Sequence, residues 1–207
     1  MERYKTVLAE SSVEQVIERS KFISYVKPVD TREEAESFIA GIRQKNESAT
    51  HNVPAFVIGE KFQVQWASDD GEPGGTAGTP MLQVLLGREV RDTVAVVTRY
   101  YGGIQLGAGG LARAYGGAVS AALDEIGTVE RRRLALLTVT VDHARAGRLE
   151  NDLRSAGHVL RDVRYGAEVT LALGVPEGEV AAFTSWLADV TSGAARCEAA
   201  GSAYVDM

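Results

Sequence analysis

Two hydrophobic periods alternate along this chain, and each change of period marks an element. Phe22, Ser24 and Val26 alternate against Ile23, Tyr25 and Lys27, which predicts a strand over residues 22–29. Asp30 or Thr31 can then cap a helix reaching Lys45, with Glu33 and Glu34 in its first turn. Ala35, Phe38, Ile39 and Ile42 form its apolar face. Val53–Ile58 and Phe62–Ala67 read as a hairpin turning at Gly59-Glu60. A loop rich in Gly and Pro follows, then a short helical piece over 81–86 and a buried strand at Val94–Thr98. Residues 107–123 read as a helix. Gly110, Ala114, Gly117 and Ala121 fall on one face of it without bulk, a face suited to close packing.

The pattern resets near Gly127–Arg133, where Glu130-Arg131-Arg132-Arg133 reads as a solvated, charged connector. Beyond it come a strand at 134–141, a helix at 144–156 ended by Gly157, and a hairpin of 159–165 and 168–173 across Gly166. A helix starting at Pro176 and a last strand at 196–205 complete the order βαββαβ, the ferredoxin-like arrangement. The expectation is therefore an α+β chain of two domains, residues 1–130 and 131–207.

Composition narrows the class. Charged residues make up 24% and hydrophobic residues 45% of the 207, the usage of an ordinary globular protein. The net charge of −6 gives no global basic footprint for nucleic acid, so any RNA contact must be a local patch. No apolar run approaches membrane-spanning length, and the first 20 residues carry four Glu without the apolar core of a signal peptide. One cysteine, Cys197, rules out an intramolecular disulfide and a cysteine metal site, which fits a cytoplasmic setting.

Candidate chemistry concentrates where glycine does, between Gly71 and Gly117. Asp69, Asp70 and Glu72 offer oxygen ligands or acid/base groups, or else accept backbone amides and pair with Arg99 or Arg113. Gly107, Gly109 and Gly110 open the 107–123 helix. Their run matches G-x-G-x-x-A, but eight residues separate it from the preceding strand and no acidic residue follows a second strand, so a dinucleotide site is rejected. A looser anion site of helix-start amides with Arg99 and Arg113 remains. Arg99, with the rings of Tyr100 and Tyr101, suits phosphate contact and base stacking, or simple packing at a strand end. His51 either faces the same groove or is structural.

Two long motifs carry a resemblance. They are Asp69-Asp70-Gly71-Glu72-Pro73-x-Gly75-Thr76-Ala77-Gly78-x-Pro80-Met81-Leu82 and Arg99-Tyr100-Tyr101-Gly102-Gly103-x-x-Leu106-Gly107-x-Gly109-Gly110-Leu111. With Ser20-Lys21-Phe22 and Ala49-Thr50-His51-Asn52, they closely resemble the IMPACT family in its YigZ-type bacterial form. Val53 departs from the pattern, where a cysteine is expected in many relatives. The resemblance implies a ribosomal protein S5 domain 2-like fold for the first domain and a ferredoxin-like second domain, similar to consecutive domains of elongation factor G.

It also implies a role in translation, since eukaryotic relatives regulate initiation. The expected function is a non-enzymatic binding protein that engages RNA, the ribosome or a protein partner. Its groove is lined by Asp69, Asp70, Glu72, Thr76, Arg99, Tyr100, Gly102, Gly103, Gly107, Gly109, Gly110, Arg113 and Tyr115, with His51 a further candidate. No catalytic residue, metal or cofactor is assigned. The alternatives are an enzyme acting on a small phosphorylated or peptidic ligand in the same groove, and an interaction scaffold.

Overall fold

Both faces of the Val94 strand are buried. Val94 and Val96 join one apolar cluster while Ala95 and Val97 join another, so the strand lies at the centre of a three-layer unit. The computed structural model describes residues 3–206. In chain order the elements are β1 (Arg3–Val7), β2 (Ser11–Ile17), β3 (Ser20–Pro28), α1 (Arg32–Lys45), β4 (His51–Ile58), β5 (Val64–Ala67), α2 (Gly78–Gly87), β6 (Thr93–Tyr100) and α3 (Gly107–Ile126). They continue with β7 (Thr128–Val141), α4 (His143–Ser155), β8 (Val159–Tyr165), β9 (Val169–Pro176), α5 (Val180–Thr191) and β10 (Arg196–Asp206). The chain divides into two units at Glu130/Arg131.

In the first unit an antiparallel sheet runs β2-β3-β6-β4-β5. The helix α1 covers one face with Ala35, Phe38, Ile39 and Ile42. Thr31 caps it, accepting from the Glu34 amide at 3.2 Å. On the other face lie α2 and α3, through Met81, Leu85, Leu111, Tyr115 and Val119. Strand alternation then fixes the site: odd-numbered positions of β6 face α2 and α3, even-numbered positions face α1. Val53, where a cysteine was expected, is fully buried in the α2/α3 core.

The second unit orders its strands β10-β7-β9-β8, all antiparallel, with α4 and α5 contributing Leu149, Leu153, Phe183 and Leu187 to one core. That order and the βαββαβ succession are those of a ferredoxin-like domain, and the chain is α+β throughout.

Several sequence expectations need correction. Arg131, Arg132 and Arg133 are not a linker but strand residues of β7, paired with Asp206, Val205 and Tyr204 of β10. Pro176 ends β9 instead of starting a helix; a single 3₁₀ turn at Glu177–Glu179 precedes α5. The returning strand of the first hairpin begins at Val64, because Phe62 takes a positive φ of 56°. The strands β1 and β2 were not anticipated: their alternation mixes Thr, Ser and Gln with few large apolar residues. In α3 the glycine packed against another helix is Gly116, whose added Cβ would lie 3.6 Å from Val84 and 3.7 Å from the Pro80 carbonyl of α2; Gly110 meets only Leu106, at 3.1 Å. Gly117, expected on the packed face, has open space instead.

Candidate functional site

The β3-β6-β4 register places Phe22, Arg99 and His51 side by side in one row across the sheet. All three occupy the face toward α2 and α3. The loop after β5 folds over this row. Asp69 organises it: its carboxylate accepts the amides of Gly75 at 2.7 Å, Ala77 at 3.0 Å and Gly78 at 2.9 Å. Burial alone would push the Asp69 carboxyl up, but these amides outweigh it and hold it below the ordinary carboxylate range. Asp70 accepts the Asn52 amide at 2.6 Å and pairs with Arg43 at 2.7 Å. Gly71, at φ 88°, supplies the backbone turn that sends the next side chain inward.

That side chain is Glu72, which is 4% exposed. Its Oε1 accepts from Arg99 Nη1 at 2.7 Å and from the Tyr115 hydroxyl at 2.7 Å, and His51 Nε2 stands 3.7 Å away. Arg99 also reaches Ser20 Oγ at 3.4 Å, while its Nε has no partner among the described residues. Burial first, then the bond to Glu72, pushes the Tyr115 phenol far above its ordinary value, so it stays a donor. The imidazole of His51 is oriented by the Asp70 carbonyl, 2.8 Å from Nδ1. A carbonyl only accepts, so Nδ1 carries the hydrogen and the neutral ring keeps its lone pair on Nε2.

Above this floor lies a groove of about 470 Å³, lined by Thr50, His51, Glu72, Arg99, Tyr101 and the start of α3 at Gly107 and Ala108, among others. Tyr101 is half exposed, and the Arg99 guanidinium carbon lies 5.3 Å from its ring centroid. The first turn of α3 has no side-chain cap and no acidic residue, so its amides are free to meet an anion. A larger groove of about 960 Å³ runs beside α1 past Ser12, Lys27, Glu34 and Lys45. It contains neither glycine-rich loop and no buried ion pair, and the α1 start it touches is capped by Thr31 and carries Glu33 and Glu34, so the smaller groove is the candidate.

The expected residues therefore separate. Glu72, Arg99, Gly107 and His51 line the groove, and Tyr115 is buried beneath it. Tyr100 does not belong there. As the neighbour of Arg99 in β6 it points to the α1 side, where its hydroxyl reaches Asn46 at 3.1 Å and Lys21 lies over its ring. Arg113 is exposed on α3 and is not part of the lining, so the expected Arg99–Arg113 pair around one anion is not formed. Asp69, Asp70 and Glu72 diverge to separate partners and hold the loop. Thr76 closes the same loop on the Pro73 carbonyl at 2.6 Å.

Gly102 is structural, because a Cβ there would sit 2.0 Å from the Arg19 carbonyl oxygen. Gly103, Gly109 and Gly110 lie outside the lining. The ring that the sequence reading left out of its site is Tyr101. Its separation of two from Arg99 was the available signal.

This geometry sits within the segment that matches the Impact N-terminal domain, residues 18–123; residues 139–194 match a domain of unknown function, DUF1949. The chain is 47% identical to the IMPACT family member YvyE of Bacillus subtilis, over 92% of this chain and 88% of that protein. The chain belongs to the IMPACT family. It is also 37% identical to the IMPACT family member YigZ of Escherichia coli, over 93% of this chain and 96% of that one. The IMPACT protein of Bos taurus matches over 94 residues at 35% identity, 29% of its own length. Among solved structures, a crystal structure described only as that of "an hypothetical protein" shares 37% identity, with a TM-score of 0.64 over 95% of this chain and 97% of that one. The IMPACT resemblance drawn from the two motifs thus extends across both domains.

Proposed function

We propose that this IMPACT family member is a non-enzymatic, cytoplasmic binding protein that engages single-stranded RNA in translation through the groove over Arg99 and Glu72. The observation that carries the reading is the meeting of two features in one concavity. The uncapped start of the 20-residue helix α3 offers amides and a positive dipole end to a phosphate, and the half-exposed Tyr101 offers a ring to a base. The negative overall charge suits a short local contact over a long basic track. Among the described residues no helix is long and apolar enough to cross a membrane.

Fluorescence anisotropy with a labelled single-stranded RNA tests this. Binding at about 50 mM salt should weaken steeply as salt rises. Tyr101→Ala should cost on the order of 1–3 kcal/mol of binding, the worth of one stacked base. Tyr100→Ala, on the opposite sheet face, should change binding little. No detectable binding by the native chain overturns the reading.

A second reading, an enzyme acting on a small phosphorylated or peptidic ligand, is favoured by the fixed tautomer of His51, whose Nε2 lone pair is available as a base. Turnover of such a ligand that is lost in His51→Ala supports it over simple binding.

A further inference from the structure

We infer that Glu72 reads a ribose 2′-hydroxyl, so that the groove takes RNA in preference to DNA. The inference rests on the RNA reading above. Among the described residues Glu72 uses only one of its two carboxylate oxygens. Oε1 is occupied by Arg99 and Tyr115. Oε2 accepts no hydrogen bond among the described residues, yet it is not among the unpartnered atoms sealed from solvent, as Arg99 Nε is. Glu72 lines the groove and its Oε1 is taken, so Oε2 is the oxygen assigned to the groove wall. The side chain itself is 96% buried and held from two sides, so this acceptor is fixed in place.

A carboxylate oxygen can only accept, and it repels a phosphate. A polyanionic ligand must therefore present a donor there. Along a nucleotide the order is phosphate, sugar, base. In the groove the helix start suits the phosphate and Tyr101 suits the base. Arg99 touches both Glu72 and Tyr101: Nη1 lies 2.7 Å from Glu72, and the guanidinium carbon lies 5.3 Å from the ring centroid. One guanidinium thus bridges the Glu72 carboxylate and the stacking ring, so the sugar attached to a stacked base falls on the Glu72 side of the groove. Within a chain the sugar has one free donor, the 2′-hydroxyl, and only RNA has it. Arg99 and Tyr115 act as positioning residues, holding Oε1 so that Oε2 faces outward.

Four oligonucleotides of one sequence and about eight residues test this on the native chain: RNA, 2′-fluoro RNA, 2′-O-methyl RNA and DNA. The RNA should bind tightest, and each of the others on the order of tenfold more weakly, the value of one hydrogen bond to a charged acceptor. The 2′-fluoro strand decides the matter, because it keeps the RNA sugar conformation but has no donor. In Glu72→Gln an amide that can donate replaces Oε2, and the RNA to 2′-fluoro ratio should fall to about two or less. Equal affinity of the native chain for RNA and 2′-fluoro RNA overturns the inference while leaving RNA binding intact. An unchanged ratio in a folded Glu72→Gln variant overturns the role of Glu72. Failure of every oligonucleotide to bind overturns the RNA reading itself, and this inference with it. Should Glu72→Gln not fold, the native chain with the four strands still decides.

Discussion

The Tyr115 hydroxyl and the Glu72 carboxylate meet at 2.7 Å although 43 residues separate them in the chain. This bond ties α3 to the carboxylate loop directly beneath the groove, and the Tyr115 ring is held edge-on to Phe22 at 5.4 Å. Tyr115→Phe keeps the ring and removes the donor. It should lower unfolding free energy by about 1–2 kcal/mol in urea titrations. Unchanged stability would mean that the bond does not hold the loop.

Asp69 should matter more than its surface position suggests, because three backbone amides converge on it. Asp69→Asn should destabilise the chain by about 1–3 kcal/mol at neutral pH. The folded carboxyl titrates below its unfolded value of about 3.9, so its contribution is complete above that pH and is lost as pH falls through the lower folded value. Melting curves of native chain and variant should therefore differ by a constant amount from neutrality down to about pH 5, then converge in acid. A gap that persists undiminished at about pH 2 would contradict this assignment.

The Arg99–Glu72 pair is largely buried, with side chains 6% and 4% exposed. Arg99→Met strands the carboxylate and should cost about 3–5 kcal/mol, whereas the double variant Arg99→Met with Glu72→Gln should recover part of that loss. Additive losses in the double-mutant cycle would show that the two side chains are not energetically coupled.

Two glycines of the motif region should behave oppositely. Gly102→Ala drives a Cβ to within 2.0 Å of the Arg19 carbonyl oxygen and should destabilise strongly or prevent folding. Gly117→Ala meets nothing within 4 Å in the interior of α3 and should stabilise by about 0.5–1 kcal/mol. Thermal melts of the two variants check both signs.

Much of this architecture was legible from residue patterns. The helical face of Ala35, Phe38, Ile39 and Ile42, the Thr31 cap, the Val94 strand and the βαββαβ order all follow from period and capping, and they are the elements observed. Strands with few large apolar side chains were not, as β1 and β2 show. Paired strand residues can also look like a linker when they are charged, as Arg131–Arg133 did.

At the groove, the residue types were visible but their directions were not fully used. Arg99 and Tyr100 are neighbours in a strand, so alternation sends them to opposite faces and leaves Tyr101 as the available ring. The burial of Glu72 could not be read, because it depends on a loop held by Asp69 and turned at Gly71. Nor does spacing alone reveal that Arg113 stays exposed on α3, outside the groove lining.

The most direct test of the central claim is a ¹H–¹⁵N chemical-shift map of the chain titrated with single-stranded RNA. The account predicts that the amides of Thr50, His51, Tyr101, Gly107 and Ala108 move first and furthest. Shifts confined to the groove beside α1, at Ser12, Glu34 and Gly41, or to the second unit, would contradict it.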